Sequence, residues 1–127
     1  MPNFVERVKT AQDLEAAQAK RREWRLPMVL IFSSSGATSS TLKALSTAYR
    51  RRLLVVEHKA GKGGSEVARR FGVTAFPAVL GFPAEQDEPV AFEKKPTYNM
   101  LDGFFRKLAL KQAVLRKPEP EAPKEEL

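Results

Sequence analysis

The side chains that could support catalysis in this sequence are few, and they lie apart along the chain. There is no cysteine, and His58 is the only histidine among 127 residues. Hydroxyl groups are concentrated in a turn of small residues from Ser33 to Ser40. A serine nucleophile needs a base within hydrogen-bond reach, whereas we expect His58 at the end of a separate strand, exposed or half-buried. A Ser–His catalytic unit is therefore not expected.

Redox and metal chemistry are equally poorly supported. A dithiol mechanism needs one thiolate to attack and a second thiol to resolve, and the chain has neither. One histidine and no cysteine are also too few ligands for a typical transition-metal site. We expect no catalytic residues, no metal and no cofactor, so the sequence predicts a protein that is not an enzyme.

The length and composition are typical of one globular domain. With 127 residues, 43% of them hydrophobic and 29% charged, the chain can bury a single core without disulfides or metal. Its longest apolar run, Met28 to Phe32, is far shorter than the roughly 20 residues that a membrane-spanning helix needs. From residue 116 prolines alternate with glutamates, which predicts an extended linker. We expect a folded domain over residues 1–115 and a tail over 116–127.

Hydrophobic periodicity predicts alternating strands and helices. Thr10 and Asp13 have the spacing of a capping box before the first helix, and Ser65 and Thr97 suit the start of two later helices. Five segments are predicted as strands: Phe4–Val8, Met28–Phe32, Leu53–Val56, Ala78–Phe82 and Val90–Phe92. The order β-α-β-α-β-α-β-β-α favours right-handed crossovers. It therefore predicts an α/β fold in which helices cover both faces of a central mixed sheet.

The segment from Phe71 to Leu80 carries a family resemblance. A Gly-Val pair, two small residues, an aromatic residue, a proline and an apolar run resemble the cis-proline segment of the thioredoxin fold. The resemblance covers residues 4–110, implies that Pro77 is cis, and places Gly36–Ser39 where the family has its catalytic cysteine pair. The chain is similar to the cysteine-free thioredoxin-like domains of lumenal J-domain co-chaperones and of the protein disulfide isomerase group.

This resemblance implies a binding role. Active relatives present the backbone before the cis-proline to an extended peptide, and such strand addition tolerates many sequences. The implied occupant is an unfolded polypeptide or a partner protein, held as part of protein folding and quality control. A purely structural role of Pro77 is the alternative. The implied peptide-binding residues are Phe32, Ser35, Gly36, Ala75, Phe76 and Pro77.

The charge distribution leads to a second function class. The net charge is +7, with −3 from Pro118 onward and +10 over residues 1–117, which favours acidic partners such as nucleic acid. The resemblance places the first and third helices on one face, where these residues would form a basic patch: Arg21, Arg22, Arg25, Arg69 and Arg70. The alternative function is a scaffold subunit with this patch toward RNA or an acidic protein. A merely solvated face is the simpler interpretation, because a run of charges on a helix is usually a solvated face.

The last four residues suggest a compartment. Lys124-Glu125-Glu126-Leu127 is similar to the Lys-Asp-Glu-Leu signal that a receptor reads at a free C-terminus. This similarity predicts the lumen of the endoplasmic reticulum, in agreement with the co-chaperone resemblance. Another organelle or the cytoplasm stays open as an alternative.

Overall fold

A computed structural model of the protein describes residues 3–33, 38–61 and 65–116. Within these ranges the elements in chain order are β1 (Glu6–Val8), α1 (Ala11–Trp24), β2 (Met28–Ser33), α2 (Ser40–Ala48), β3 (Leu54–Lys59), α3 (Glu66–Arg70), β4 (Ala78–Phe82), β5 (Val90–Phe92) and α4 (Tyr98–Leu108). The order predicted from periodicity is confirmed. Four strand boundaries differ: β1 begins at Glu6 rather than Phe4, β2 ends at Ser33 rather than Phe32, and β3 covers Leu54–Lys59 rather than Leu53–Val56.

The helices α1 to α4 each begin after a residue with a hydroxyl side chain. Thr10 and Asp13 form the predicted capping box, in which each side chain accepts a backbone N–H of the other residue at 3.2 Å. Hydrogen bonds from the backbone N–H groups of Lys9 and Thr10 lower the pKa of the Asp13 carboxyl. Ser65 and Thr97 cap α3 and α4 as predicted. The caps satisfy N–H groups that have no partner inside the first helical turn.

The strands form one mixed sheet in the order β1-β3-β2-β4-β5. β1, β3 and β2 are parallel, whereas β4 is antiparallel to β2 and β5 is antiparallel to β4. Ser33 lies opposite Lys59, and Phe32 lies opposite both His58 and Ala78. The carboxyl ends of β2 and β3 therefore meet the beginning of β4 at one edge of the sheet. The predicted α/β fold with a mixed sheet is confirmed.

Helices on the two faces of the sheet bury two separate cores. The α1–α3 core contains Leu14 and Val67 from the helices and Leu30, Phe32 and Val56 from the sheet, among other residues. The α2–α4 core is built in the same way from a different set of residues: Leu45, Phe105, Val29, Ile31 and Val55. Because the strands alternate, odd-numbered residues of β2 and β3 face α2 and α4. None of the helices in the described ranges is long and apolar enough to cross a bilayer.

His58 belongs to the α1–α3 side of the sheet and is fully buried, with 1% of its surface exposed. The expectation of an exposed or half-buried strand end is wrong. Its Nδ1 lies 2.8 Å from the carbonyl oxygen of Val8, and its Nε2 lies 2.7 Å from Ser65 Oγ. Ser65 Oγ also accepts the N–H of Ala68, so its own O–H is free to donate to Nε2. His58 therefore joins β3 to β1 and to the cap of α3, and its ring nitrogens are occupied.

Gly81 of β4 provides a test of how closely α4 packs on the sheet. A Cβ atom at this position would lie 2.5 Å from Leu108 Cδ1 and 2.7 Å from Phe104 Cζ. We expect Gly81→Ala to lower the free energy of unfolding by about 1–2 kcal/mol, because α4 must move away from the sheet. Urea denaturation measures this change.

Gly103 is the matched control for that substitution. It lies within α4, and a Cβ there would have no heavy atom within 4 Å. Gly103→Ala is expected to stabilise the protein by about 0.5–1 kcal/mol, since alanine favours the helix. Equal effects of the two substitutions would contradict the close approach of α4 to Gly81.

Candidate functional site

The Phe76–Pro77 peptide bond is cis, and it leads into β4 at the edge where β2 and β3 end. Ala75 and Pro77 are exposed, whereas Phe76 is half-buried against the α1–α3 core. Among the described residues, no backbone–backbone hydrogen bond involves Thr74, Ala75 or Phe76. This short stretch of backbone has donors and acceptors that can pair with another chain.

Phe32 does not belong to this surface, and its assignment to the peptide-binding residues is wrong. It is fully buried on the α1–α3 side of the sheet, with its ring 5.8 Å from the ring of His58 and 6.1 Å from that of Phe71. The predicted residues Ser35 and Gly36 lie outside the described residues. Of the predicted set, Ala75, Phe76 and Pro77 are contiguous at the surface, with Phe76 only partly accessible.

A cleft of about 280 Å³ lies beside Pro77 on the α2–α4 side of the sheet, and we call it the Pro77 cleft. Its apolar walls include Val79 of β4 and Leu101 of α4. Ser33 and Lys59, from the ends of β2 and β3, contribute polar groups to the same cleft. An extended chain lying along Ala75 and Pro77 would therefore have a recess for one side chain.

A buried carboxylate forms the polar end of the Pro77 cleft. Glu57 is 3% exposed, and its Oε1 accepts the O–H of Thr38 at 2.7 Å. Arg7 Nη2 donates to Thr38 Oγ1 at 3.2 Å, and Lys59 Nζ lies 3.2 Å from Glu57 Oε2. The carboxylate is therefore paired with a cation and hydrogen-bonded, as a buried charge requires. Ser39, the cap of α2, follows Thr38 directly, so this network also positions the start of α2.

Ser33 lies at the same end of the cleft, and its hydroxyl oxygen, Oγ, has almost no solvent-accessible surface. The atom is buried, and within the described part of the chain it has no hydrogen-bond partner. A hydroxyl buried without a partner costs free energy that a ligand group or a water molecule can offset. A group that enters the Pro77 cleft would have to displace the atoms that cover Ser33 Oγ before it could form a hydrogen bond with this hydroxyl.

The sequence reasoning missed Glu57, Lys59 and Ser33 as site residues. Glu57 could have been identified from its position in β3, where it interrupts a run of apolar residues that the sheet buries. A charged residue at such a position indicates a partner. Lys59, two residues later in the same strand, was visible in the sequence, but the contact with Thr38 before α2 was not. Within the described ranges no three histidine or acidic side chains come together as a metal site.

The predicted basic patch loses one member in the structure. Four arginines of the predicted patch are exposed: Arg22, Arg25, Arg69 and Arg70. Arg21 is only 1% exposed, so its assignment to the patch is wrong.

The guanidinium of Arg21 donates to the carbonyl oxygens of Pro83 and Gln86 and lies 5.5 Å from the ring centre of Phe82. Burial lowers the pKa of Arg21 from its ordinary value, and Asp87 acts in the opposite direction. Of the exposed arginines, Arg22 is paired with Asp87, so its charge is partly neutralised.

The chain is similar in structure to known thioredoxins. It matches a thioredoxin, NaTrxh, from Nicotiana alata with a TM-score of 0.71 and 18% identity, over 87% of this chain and 96% of that one. For oxidized thioredoxin O1 from Arabidopsis thaliana the TM-score is 0.62 and the identity 20%, over 84% and 98% of the two chains. The J-Trx1 fragment of ERdj5 gives 0.64 and 15%, over 82% of this chain and 49% of that one.

At these identities the likeness establishes the thioredoxin fold alone. No family model matches the sequence, and no curated protein matches it as a relative. The fold inferred from the segment around Pro77 is therefore confirmed, in a chain that has no cysteine with which to form the dithiol of that fold.

Proposed function

We propose that this protein is a non-catalytic binding module that holds an extended polypeptide segment along Ala75 and Pro77. The observation that carries the proposal is the backbone of Thr74–Phe76, which pairs with no other described backbone group and leads into Pro77 at the Pro77 cleft. The absence of cysteine from the sequence supports a role without thiol chemistry. The segment would add to the protein by main-chain hydrogen bonds.

The cleft sets the chemistry of the bound side chain. Val79 and Leu101 favour an apolar group, while the Ser33 hydroxyl, which has no partner among the described residues, would form a hydrogen bond with a group that reached it. Lys59 carries a charge, but Glu57 pairs with it and reduces its attraction for an acidic group. We therefore propose a small apolar or hydroxyl-bearing side chain in the cleft. Affinity would be micromolar or weaker, because one side chain is anchored and the peptide loses conformational entropy.

The cellular setting that we propose is protein folding and quality control in the lumen of the endoplasmic reticulum. The structural similarity to the J-Trx1 fragment of ERdj5 supports this setting. A permanently unfolded, carboxymethylated polypeptide is accordingly a suitable first probe. The binding site itself does not depend on this setting.

Titration of that unfolded polypeptide into isotope-labelled protein tests the proposed function. We expect amide shifts at Ala75, Phe76 and Ala78, and at Ser33 and Lys59 in the cleft. Ala75→Pro removes one backbone donor, so it should weaken binding by about fivefold, the order of one lost hydrogen bond. Shifts confined to other surfaces would contradict the proposal.

Ala113→Pro is a matched control, because Ala113 is an exposed alanine in an irregular segment outside the Pro77 cleft. It should leave the affinity unchanged. Thermal unfolding of both variants establishes that each is folded at the temperature of the titration. Equal weakening by the two substitutions would show that the loss is not local to Ala75.

A further inference from the structure

A second cleft, of about 260 Å³, opens where the end of α1 meets the beginning of β1 and the turn after α2. We call it the Arg50 cleft. It shares no lining residue with the Pro77 cleft, so binding at the Arg50 cleft is independent of the proposed function. Its floor is apolar, formed by the half-buried Trp24 and by the buried Leu26, Leu53 and Leu54.

The rim of the Arg50 cleft is cationic. Arg50 and Arg51 are exposed, and no ion pair between described residues involves either of them. The Arg50 guanidinium lies 4.2 Å from the ring centre of Phe4, which also lines the cleft, and this contact leaves the charge of Arg50 unneutralised. The third cation of the lining, Lys20, is paired with Glu6. The unpaired positive charge is therefore concentrated at Arg50 and Arg51.

We propose that the Arg50 cleft binds an acidic linear segment of a partner protein, with one large apolar side chain on the floor and flanking carboxylates at Arg50 and Arg51. Two features determine this occupant. An apolar floor needs a side chain that fills it, and paired N–H donors of arginine suit carboxylate geometry. Buried cores of interfaces commonly combine an aromatic residue with arginine, which Trp24 and Arg50 provide here.

The acidic end of this chain is the competing occupant. Arg51 Nη1 donates to the carbonyl oxygen of Leu115 at 2.8 Å, so the sequence after Arg116 begins close to the cleft. That sequence has four glutamates and one large apolar side chain, Leu127, eleven residues beyond Arg116. Its alternating prolines favour an extended chain, which opposes the reversal needed to bring Leu127 back to a cleft beside Leu115. A partner segment needs no such reversal, so it is the occupant that we propose.

The fluorescence of Trp24 provides the test, because it is the only tryptophan of the protein. The probe is a blocked hexapeptide of four glutamates around Leu-Phe, titrated into the full chain at low and physiological salt. We expect saturable change in Trp24 emission, weaker binding at higher salt, and no saturation with a peptide that has lysine in place of glutamate. An acidic peptide with Gly-Gly in place of Leu-Phe should bind at least about tenfold more weakly, for want of its apolar anchor.

Arg50→Glu is the decisive variant, and Arg70→Glu is its control, since both reverse an exposed arginine and only Arg50 lines the cleft. Arg50→Glu should lower the affinity by at least about tenfold and Arg70→Glu by less than about twofold. Equal losses, or no change in Trp24 emission, would overturn the proposal.

A truncated protein that ends at Arg116 distinguishes the two occupants. If Trp24 emission and probe affinity are unchanged, the cleft is free for a partner segment. If the emission changes and the probe binds more tightly, the cleft belongs to the chain's own tail.

Discussion

Replacing Arg21 with alanine is expected to lower the free energy of unfolding by about 3 kcal/mol, one of the two largest effects that we predict. The side chain is 1% exposed, and its removal leaves a cavity next to Phe82. The carbonyl oxygens of Pro83 and Gln86 lose their guanidinium donor. Chemical denaturation followed by circular dichroism measures the loss.

The ion pair between Arg21 and Asp87 contributes little to the expected destabilisation by Arg21→Ala. Arg21 Nη1 lies 3.8 Å from the carboxylate of Asp87, whose side chain is 77% exposed and therefore screened by solvent. Arg21→Met separates the remaining contributions, because it keeps most of the packing and removes the donors. We expect a loss of about 1–2 kcal/mol for that variant, from the unpaired carbonyl groups.

Arg22→Ala is the matched control, since it removes a neighbouring arginine that also contacts Asp87 but is 58% exposed. The expected change is within about 0.5 kcal/mol, as for most surface substitutions. If Arg21→Ala and Arg22→Ala had the same small effect, Arg21 would have to be exposed, and the packing of the β4–β5 loop against α1 would be wrong.

Arg21 also shows why the candidate surfaces were harder to predict than the fold. It stands in a run of charged residues, Lys20-Arg21-Arg22, that is typical of a solvated helix face. Its spacing from Leu14 and Ala17 places it on the buried face of α1, and this signal was available from the sequence. The carbonyl groups that satisfy it belong to a loop more than sixty residues later in the chain. Local patterns cannot identify such partners.

The helix caps and strands were predictable because they depend on neighbouring residues. Thr10 and Asp13 are three residues apart, and their capping box needs no other part of the chain. Phe32 was different: β2 is apolar on both faces, so no alternation indicates which core each of its residues enters. Only the packing of Phe32 against Phe71 and His58 assigns it to the α1–α3 side.

Glu57→Ala is expected to destabilise the protein by about 3 kcal/mol, an effect as large as that of Arg21→Ala. The substitution leaves Thr38 without its acceptor and Lys59 without its carboxylate at the end of the sheet. Removing one member of a buried ion pair typically costs about 3–5 kcal/mol. We expect the lower end of this range, because the Lys59 side chain is 25% exposed and can turn toward water. Urea denaturation gives the change directly.

Glu57→Gln and Glu66→Ala complete this test. Glutamine keeps the size of the side chain and an oxygen that accepts the Thr38 O–H. Glu57→Gln is therefore expected to lower the free energy of unfolding by about 1–2 kcal/mol, from loss of the ion pair alone.

Glu66 is the control residue, because it is exposed on α3. Its replacement should change the free energy of unfolding by less than about 0.5 kcal/mol. Should Glu57→Ala and Glu66→Ala prove equally mild, the carboxylate of Glu57 would have to be solvated. The Pro77 cleft would then lack its paired polar end, and Lys59 would be free to attract acidic side chains into it.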